Sequence, residues 1–263
     1  AHGYAMEYAF PVSSRKNLQD AAFFNSIVSR SVNGAILLGR VRQDLLDMLS
    51  AHIPNLVYCG LNYIDEAISQ VLCDAVQGIA LAVEHLVSLG HRRIGFIGET
   101  NRDGLLINER RFKAFQKAMG KHGLPVEEPF VVESELSLGG GHESMTRALA
   151  QGEHASAYFC VNDITAIGVL RAIREQGLRV PEDISLVSFD DIELCCYVSP
   201  QLTTIRTPIT HMGTMAVRML IDQIQNNTLP VRTYMPFELV VRESVLPFRD
   251  ACPAELPKAR AAK

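Results

Sequence analysis

Two adjacent carboxylates, Asp190 and Asp191, directly follow an apolar run at 184–189. The run is typical of a fully buried strand, and open α/β sheets bind ligands just beyond the carboxyl ends of their strands. Aspartates also begin turns and cap helices, so a purely structural role is the alternative. Adjacent side chains at a strand end diverge in direction, so we do not expect the pair to act together as acid and base.

The apolar run at 157–161 ends in the same way, because it is followed by Asn162 and Asp163. Asp163 could simply cap the helix that follows. Asn162 offers hydrogen-bond donors and an acceptor at its strand end, and Asp190 offers acceptors in the corresponding place. Two consecutive strand ends with polar groups that can bracket hydroxyls favour a ligand site over two independent caps.

Two cations, Arg110 and Arg111, lie in the first turn of a helix predicted at 109–121. Cations there oppose the helix dipole, so the position calls for another explanation. Two interpretations stay open. The arginines are either a solvated surface pair, or a fork that reaches across a cleft towards Asp190 or a ligand.

Motifs for metals, phosphates or covalent catalysis are weak or missing. The segment GGGH at 139–142 fits neither a dinucleotide fingerprint nor a P-loop, and a flexible loop beside a cleft explains it as well. His85 and His91 straddle a predicted helix end and lack the i, i+4 spacing of a zinc motif. The sequence contains no GxSxG and no HExxH motif. We therefore predict no enzyme, no metal site and no cofactor.

The candidate site residues must be positioned by strands and helices that alternate along the chain. Short apolar runs alternate with stretches that carry apolar residues at helical spacing, and the pair recurs roughly every 30 residues, as in βαβ units of a parallel sheet. Beyond residue 246 the periodicity is lost and Pro, Ala and basic residues accumulate, which predicts a disordered tail. The clearest predicted strands are 35–38, 56–59, 94–97, 157–161 and 184–189, and the predicted helices are 17–29, 78–89, 109–121, 141–150, 164–175 and 210–226.

Composition narrows the class of protein. The chain has 263 residues, is 48% hydrophobic and carries a net charge of -4. These values are ordinary for a soluble globular protein, and the negative net charge does not indicate a positively charged surface for binding nucleic acid. Six cysteines without a CxxC pair predict reduced thiols in the cytoplasm. No apolar run is long enough for a membrane span, and the opening AHGY is not a signal peptide. AHGY resembles the end of a helix, so we expect a strand and most of a helix to precede the chain.

Several segments together resemble the effector-binding domain of the LacI/GalR family of bacterial transcriptional regulators. They are DAVQGIALAVEHLVSLGHRRIGFIG, RRFKAF, FCVNDITAIGVLRAIREQGLRVPEDISLVSFDDIELCCYVSPQLTTIRTP and ELVVRES, and the resemblance extends to about Val245. It implies a periplasmic-binding-protein type I fold, an α/β architecture of two doubly wound parallel-sheet lobes with a ligand cleft between them. The implied organisation is an N-terminal lobe at 1–73 without its first strand, a C-terminal lobe at 74–206, a return to the N-terminal lobe at 207–238, a final strand of the C-terminal lobe at 239–246 and a disordered tail at 247–263.

The resemblance also implies an effector site for a sugar or another small molecule. The effector-binding arginine of the family falls on Arg111, the Asn of its ND motif on Asn162, and the first Asp of its GFDD motif on Asp190. On this basis Asp190 accepts hydrogen bonds from ligand hydroxyls, whereas Asp191 begins the next turn. The remaining positions of the implied site are Cys73, Leu136 and Thr207.

The implied function is that of a cytoplasmic, sugar-sensing transcriptional regulator, a repressor that forms a homodimer and has no membrane partner. Operator DNA would be bound only through an N-terminal headpiece that this chain does not contain, and the effector would act by rearranging the lobes. The alternative is a periplasmic sugar-binding protein of a transporter, which shares the fold. Unpaired cysteines and the GHRRI and VPEDISLVSFDD segments favour the regulator. An NAD-dependent enzyme lacks its glycine fingerprint.

Overall fold

The computed structural model describes residues 32–39, 43–61, 64, 67–100 and 108–249. They divide into two compact units, the first from the described residues of Ala1–Leu72 with Ile209–Met235, and the second from those of Cys73–Pro208 with Pro236–Lys263. The predicted helix at 17–29 lies outside the described residues. The strands are β1 (Ala35–Leu38), β2 (Leu56–Gly60), β3 (Ser69–Cys73), β4 (Ile94–Gly98), β5 (Val131–Glu133), β6 (Ala157–Cys160), β7 (Ser185–Asp190), β8 (Thr203–Arg206), β9 (Arg232–Met235) and β10 (Glu238–Val240).

The helices of the described part connect these strands. The 3₁₀ helices Glu128–Phe130 and Glu193–Cys196 precede β5 and β8 respectively. The α-helices are α1 (Gln43–His52), α2 (Ala75–Ser88), α3 (Asn108–Lys121), α4 (Leu138–Leu149), α5 (Asp163–Glu175) and α6 (Ile209–Asn226).

The first unit contains a sheet with the strand order β1-β2-β3-β9. β1 pairs with β2 and β2 with β3, in both cases in parallel, and β2 is buried along its whole length. In α6, Gln223 donates from its side-chain nitrogen to Ser69 Oγ over 2.9 Å, which fastens this helix to β3. A small apolar core forms around Leu49, Ile53 and Leu56.

The second unit contains a sheet with the strand order β10-β8-β7-β6-β4-β5. β8, β7, β6, β4 and β5 pair in parallel, whereas the edge strand β10 runs antiparallel to β8. Successive side chains of a strand point to opposite faces. Accordingly, Phe96 of β4 packs against Phe115 of α3, and Ile97 joins a core with Met145 of α4 and Val169 of α5. Helices therefore cover both faces, as in a doubly wound sheet.

The glycine-rich segment belongs to a packed helix and not to a flexible loop. Helix α4 begins at Leu138, three residues earlier than predicted, and the side chain of its N-cap Ser137 accepts from the backbone of Gly140. A Cβ atom on Gly141 would clash with the carbonyl oxygen of Thr165 in α5, and one on Gly168 would clash with that of Leu138. These glycines allow α4 and α5 to approach each other closely.

The C-terminal segment departs from the prediction in two places. The predicted final strand at 239–246 is shorter than expected, since β10 ends at Val240. The predicted disordered tail cannot begin at 247, because the backbone N–H of Phe248 donates to Leu89 O at the end of α2 over 2.8 Å. The ring of Phe248 also lies 5.7 Å from that of His91. Residues 250–263 lie outside the described part.

His91 is a buried structural side chain. It is 3% exposed, its Nδ1 lies 2.9 Å from Ser156 Oγ, and its Nε2 lies 3.0 Å from Leu246 O. Burial lowers the pKa of His91, and the nearby His85 acts in the same direction. The histidine therefore fastens the C-terminal segment to the start of β6.

Candidate functional site

The two predicted polar strand ends lie next to each other, because β6 and β7 are neighbouring parallel strands. β6 is followed by Val161 and Asn162, and β7 ends at Asp190. Parallel strands deliver their carboxyl ends to the same edge of a sheet. The residues predicted from 157–163 and 184–191 thus meet at one edge of the second unit.

Arg111 joins these two strand ends. Its Nη1 donates to the carbonyl oxygen of Val161 over 2.5 Å, and its guanidinium carbon lies 5.1 Å from the ring centroid of Phe189. Phe189 is itself fixed by an edge contact with Phe237, with the ring centroids 5.0 Å apart. Arg111 thus reaches towards the strand ends, in the direction that the second interpretation of the helix start expects, and its contact with a ligand stays a prediction. The side chain of Arg110 lies outside the described part of the chain.

Asp190 is a desolvated carboxyl group beside that guanidinium. Burial raises its pKa to about 7, while the positive charge of Arg111 lowers this pKa and the negative charge of Asp163 raises it. A carboxyl group with this pKa is half protonated at neutral pH. Its charge state is therefore sensitive to any ligand that favours one of the two forms.

Asp191 does more than begin a turn, which corrects the sequence-based expectation. Its Oδ2 lies 2.7 Å from Arg206 Nε and its Oδ1 lies 2.7 Å from Arg242 Nη2. The Asp191 side chain is only 7% exposed. It pairs with two arginines, of which Arg242 is largely buried and Arg206 is 45% exposed.

Asn162, and not Asp163, caps the helix that follows β6. Asn162 is the N-cap of α5, and its Oδ1 accepts from the backbone N–H of Thr165 over 2.8 Å. The cap does not use the amide nitrogen of Asn162. Asp163 is fully buried and is not the cap. It accepts hydrogen bonds from Ser188 Oγ, Thr204 Oγ1 and Ile192 N, and so joins α5 to β7, β8 and the segment after β7.

Thr207 lies beside Asp190, and its side-chain hydroxyl group is available for a hydrogen bond to a ligand. The backbone N–H of Thr207 donates to Asp190 O over 3.3 Å. Thr207 Oγ1 is buried, and within the described residues it has no hydrogen-bond partner. A buried hydroxyl without a partner is energetically costly, and a bound ligand would remove that cost.

The other two predicted positions stay predictions. Cys73 ends β3 and is 1% exposed, and Leu136 lies half-buried between β5 and α4. The cluster that the structure brings together consists of Arg111, Asp190 and Thr207, with Asn162 at the neighbouring strand end. Sequence reasoning missed Phe189, Arg206 and Arg242, although Arg242 lies in the quoted ELVVRES segment.

This cluster can hold a polar ligand but offers no covalent chemistry. Arginine and amide groups donate, a carboxylate accepts, and a hydroxyl does both. Within the described ranges no group of three His, Cys, Asp or Glu side chains could hold a metal ion. Across the same ranges, no helix combines the length and apolarity that crossing a membrane requires.

Comparison with known proteins identifies the family. Residues 83–245 match the periplasmic binding protein-like domain family, which is more than half of the chain. The chain is 32% identical over 255 residues to the HTH-type transcriptional repressor PurR of Haemophilus influenzae (strain PittEE), covering 93% of this chain and 74% of that repressor. A LacI family transcriptional regulator from Enterococcus faecium, solved with bound ribose, is 27% identical with a TM-score of 0.77, covering 88% of this chain and 86% of that one. The chain belongs to the LacI family of transcriptional regulators.

A second solved structure, a complex of the transcriptional regulator CelR with cellobiose, is 30% identical with a TM-score of 0.74, covering 84% of this chain and 68% of that one. The periplasmic-binding-protein fold class is confirmed, and so is the effector-sensing domain of a LacI family regulator. The PurR relative is a transcriptional repressor and not an enzyme, and the relatives support a regulator rather than a transporter-associated periplasmic protein.

Proposed function

We propose that this LacI family domain senses a sugar or a closely related polyhydroxylated molecule at the carboxyl edge of β6 and β7. The observation that carries the proposal is the position of the Arg111 guanidinium, over the ring of Phe189 and close enough to the desolvated carboxyl group of Asp190 to lower its pKa. Sugar hydroxyls donate and accept at once, so a single sugar can accept from Arg111 and donate to Asp190. Thr207 Oγ1 and the amide nitrogen of Asn162 would complete the recognition.

The chemical class of the effector is supported by two relatives. One LacI family structure holds ribose and another regulator is a complex with cellobiose. Hydrogen bonds that involve a charged group each contribute about 1.5–3 kcal/mol. Two such groups beside one hydroxylated ligand are enough to select it against an apolar molecule of the same size, because the apolar molecule would leave them unpaired.

The regulatory step that we propose is a ligand-dependent rearrangement of the two units, which are the two lobes of the sensor. A ligand shifts a conformational equilibrium only by its difference in affinity for the two states. The sensor acts as a homodimer and controls operator DNA through a separate DNA-binding headpiece. We place it in the cytoplasm, and this placement is supported by five cysteines that form no disulfide, Cys59, Cys73, Cys160, Cys195 and Cys196.

A thermal-shift panel tests the proposed effector class. Pentoses, hexoses, disaccharides and sugar acids are compared with non-sugar controls such as nucleobases and amino acids. We expect at least one sugar to raise the melting temperature of the wild type, and Asp190→Asn to abolish this rise. A stabilising nucleobase without any stabilising sugar would contradict the effector class.

Asp183→Asn is the matched control, because Asp183 is also ion-paired, with Arg179, but is not part of the site. This variant should keep the sugar response. Light scattering tests the dimer, for which we expect twice the chain mass of 29.0 kDa. A monomeric mass at micromolar concentration contradicts it.

A further inference from the structure

The end of β7 has an unusual backbone conformation. Asp190 has a φ of 115° and Asp191 has a φ of 58°, in a region that favours glycine. Side-chain-bearing residues persist in such conformations only where the surrounding structure holds them there, and such residues cluster at functional sites. The structure therefore must contain contacts that keep these two residues in place.

The carboxylate of Asp191 supplies the first of these contacts. Each of its oxygens lies 2.7 Å from a different arginine, Oδ2 from Arg206 Nε and Oδ1 from Arg242 Nη2. Asp191 and Arg242 have side chains that are 7% and 11% exposed, so water competes little for this pair. We call Asp191, Arg206 and Arg242 the Asp191 clamp.

Both arginines of the Asp191 clamp are anchored elsewhere as well. Arg242 Nη1 donates to Leu202 O over 2.8 Å, just before β8 begins. Arg206 lies at the other end of β8, and its Nη1 lies 2.9 Å from Glu238 Oε2 on β10. The clamp therefore connects the end of β7 to both ends of the neighbouring strand and to the sheet edge.

Backbone contacts hold the same dipeptide on both sides. The carbonyl oxygen of Asp190 accepts from Thr207 N over 3.3 Å. The residue after the dipeptide, Ile192, donates its backbone N–H to Asp163 Oδ2 over 2.8 Å. None of these anchors uses the carboxyl group of Asp190, whose pKa is lowered by the positive charge of Arg111.

We propose that Arg242 and Arg206, acting through Asp191, position the carboxyl group of Asp190 for effector binding. They are positioning residues, since they act on the effector through another side chain. The inference deepens the proposed function, in which Asp190 is the effector carboxylate. An ion pair that merely stabilised the fold would leave the surroundings of Asp190 unchanged when it is weakened.

The carboxyl carbon resonance of Asp190, followed by NMR against pH without any effector, separates these two roles. The charged groups that act on the pKa of Asp190 are Arg111 from α3 and Asp163 from α5. In the wild type we expect a pKa of about 7, which burial causes. A clamp that positions Asp190 keeps it buried, so that loosening the clamp exposes the carboxyl group to water and lowers this pKa.

In Arg242→Gln, the loss of a positive charge and the loosening of the Asp191 clamp change the pKa of Asp190 in opposite directions. Loss of a nearby positive charge can only raise the pKa of a carboxyl group, whereas loss of the clamp lowers it. Arg242→Lys keeps the charge but cannot bridge Leu202 and Asp191 as a guanidinium does. We expect the Asp190 pKa to fall by at least one unit in both variants, and to stay at about 7 in the control Asp183→Asn.

A pKa that rises in Arg242→Gln and stays unchanged in Arg242→Lys overturns the inference, and so does an ordinary pKa of Asp190 in the wild type. If both variants fail to fold, the pKa of Asp190 is measured in Arg206→Gln instead, and a rise there overturns the inference. This variant should fold, because Arg206 is 45% exposed and its loss frees only one oxygen of Asp191. Failure of the sugar panel leaves this result untouched, since the titration needs no effector.

Discussion

The guanidinium carbon of Arg111 lies 5.1 Å from the ring centroid of Phe189, the residue directly before Asp190 in β7. The ring face attracts the cation, and the hydrogen bond to Val161 O holds the same side chain from the neighbouring strand end. Arg111 is thereby oriented before any ligand arrives. An oriented side chain loses little conformational entropy on binding, which makes it an efficient donor to a sugar oxygen.

Arg111→Lys should weaken effector binding by about ten-fold to a hundred-fold, measured by calorimetric titration with the sugar that the panel selects. Lysine keeps the positive charge but loses the planar fork and its fit to the Phe189 ring. Lys117→Ala, on the exposed side of the same helix, should bind like the wild type. Wild-type affinity in Arg111→Lys would mean that the positive charge alone, and not the planar fork of Arg111, determines binding.

The affinity should fall as the pH is lowered through 7. Ligand hydroxyls donate to the ionised form of Asp190, whose pKa is about 7 in the free protein. The ionised fraction drops about ten-fold between pH 8 and pH 6, and the apparent affinity should drop with it. An affinity that is constant over this range would show that the effector does not select the ionised carboxylate.

Without effector, stability should follow the opposite trend. Folding raises the pKa of Asp190, so the protonated group stabilises the folded state. This contribution is fully present below the pKa of the unfolded chain and is lost as the pH rises through about 7. Compared with Asp190→Asn, the wild type should therefore lose unfolding free energy from acid to neutral pH in urea titrations, and parallel curves for the two proteins would contradict this.

Asp190→Gly should be more stable than Asp190→Ala by about 1 kcal/mol or more, because only glycine adopts a φ of 115° without strain. Both variants lack the carboxylate, so neither should respond to the effector. Chemical unfolding measures the difference between them. Equal stability of the two variants would show that the turn relaxes when its side chain is removed.

Continuous apolar runs made the strands of the second unit predictable, and the carboxyl-edge rule led from them to Asn162 and Asp190. Arg111 was found instead from its unfavourable position in the first turn of a helix and from the family resemblance. The partners of Asp191 were not predictable in this way. Arg206 and Arg242 are 15 and 51 residues away, and nothing local marks either as the counter-ion of a carboxylate that looks like a turn former. The positive φ values of the turn are likewise set by these distant contacts.

The interpretation of GGGH as a loop and the predicted start of the tail were also wrong, because contacts between residues distant in sequence determine both segments. The GGGH segment was open to interpretation as a loop because glycine lowers helix propensity, whereas here Gly141 is required for the approach of α5. The tail was predicted from residue 247 because periodicity stops there, whereas Phe248 is held by Leu89 and His91. A hydrogen bond to a helix end leaves no periodic pattern in the sequence.

The most direct test of the account follows the Asp190 carboxyl resonance while the selected sugar is added at pH 6.5. In the free protein the group is largely protonated at this pH, since its pKa is about 7. Binding should move the resonance to its ionised position with the same saturation curve that calorimetry gives. A resonance that stays at its free position when the protein is saturated would show that the effector binds elsewhere.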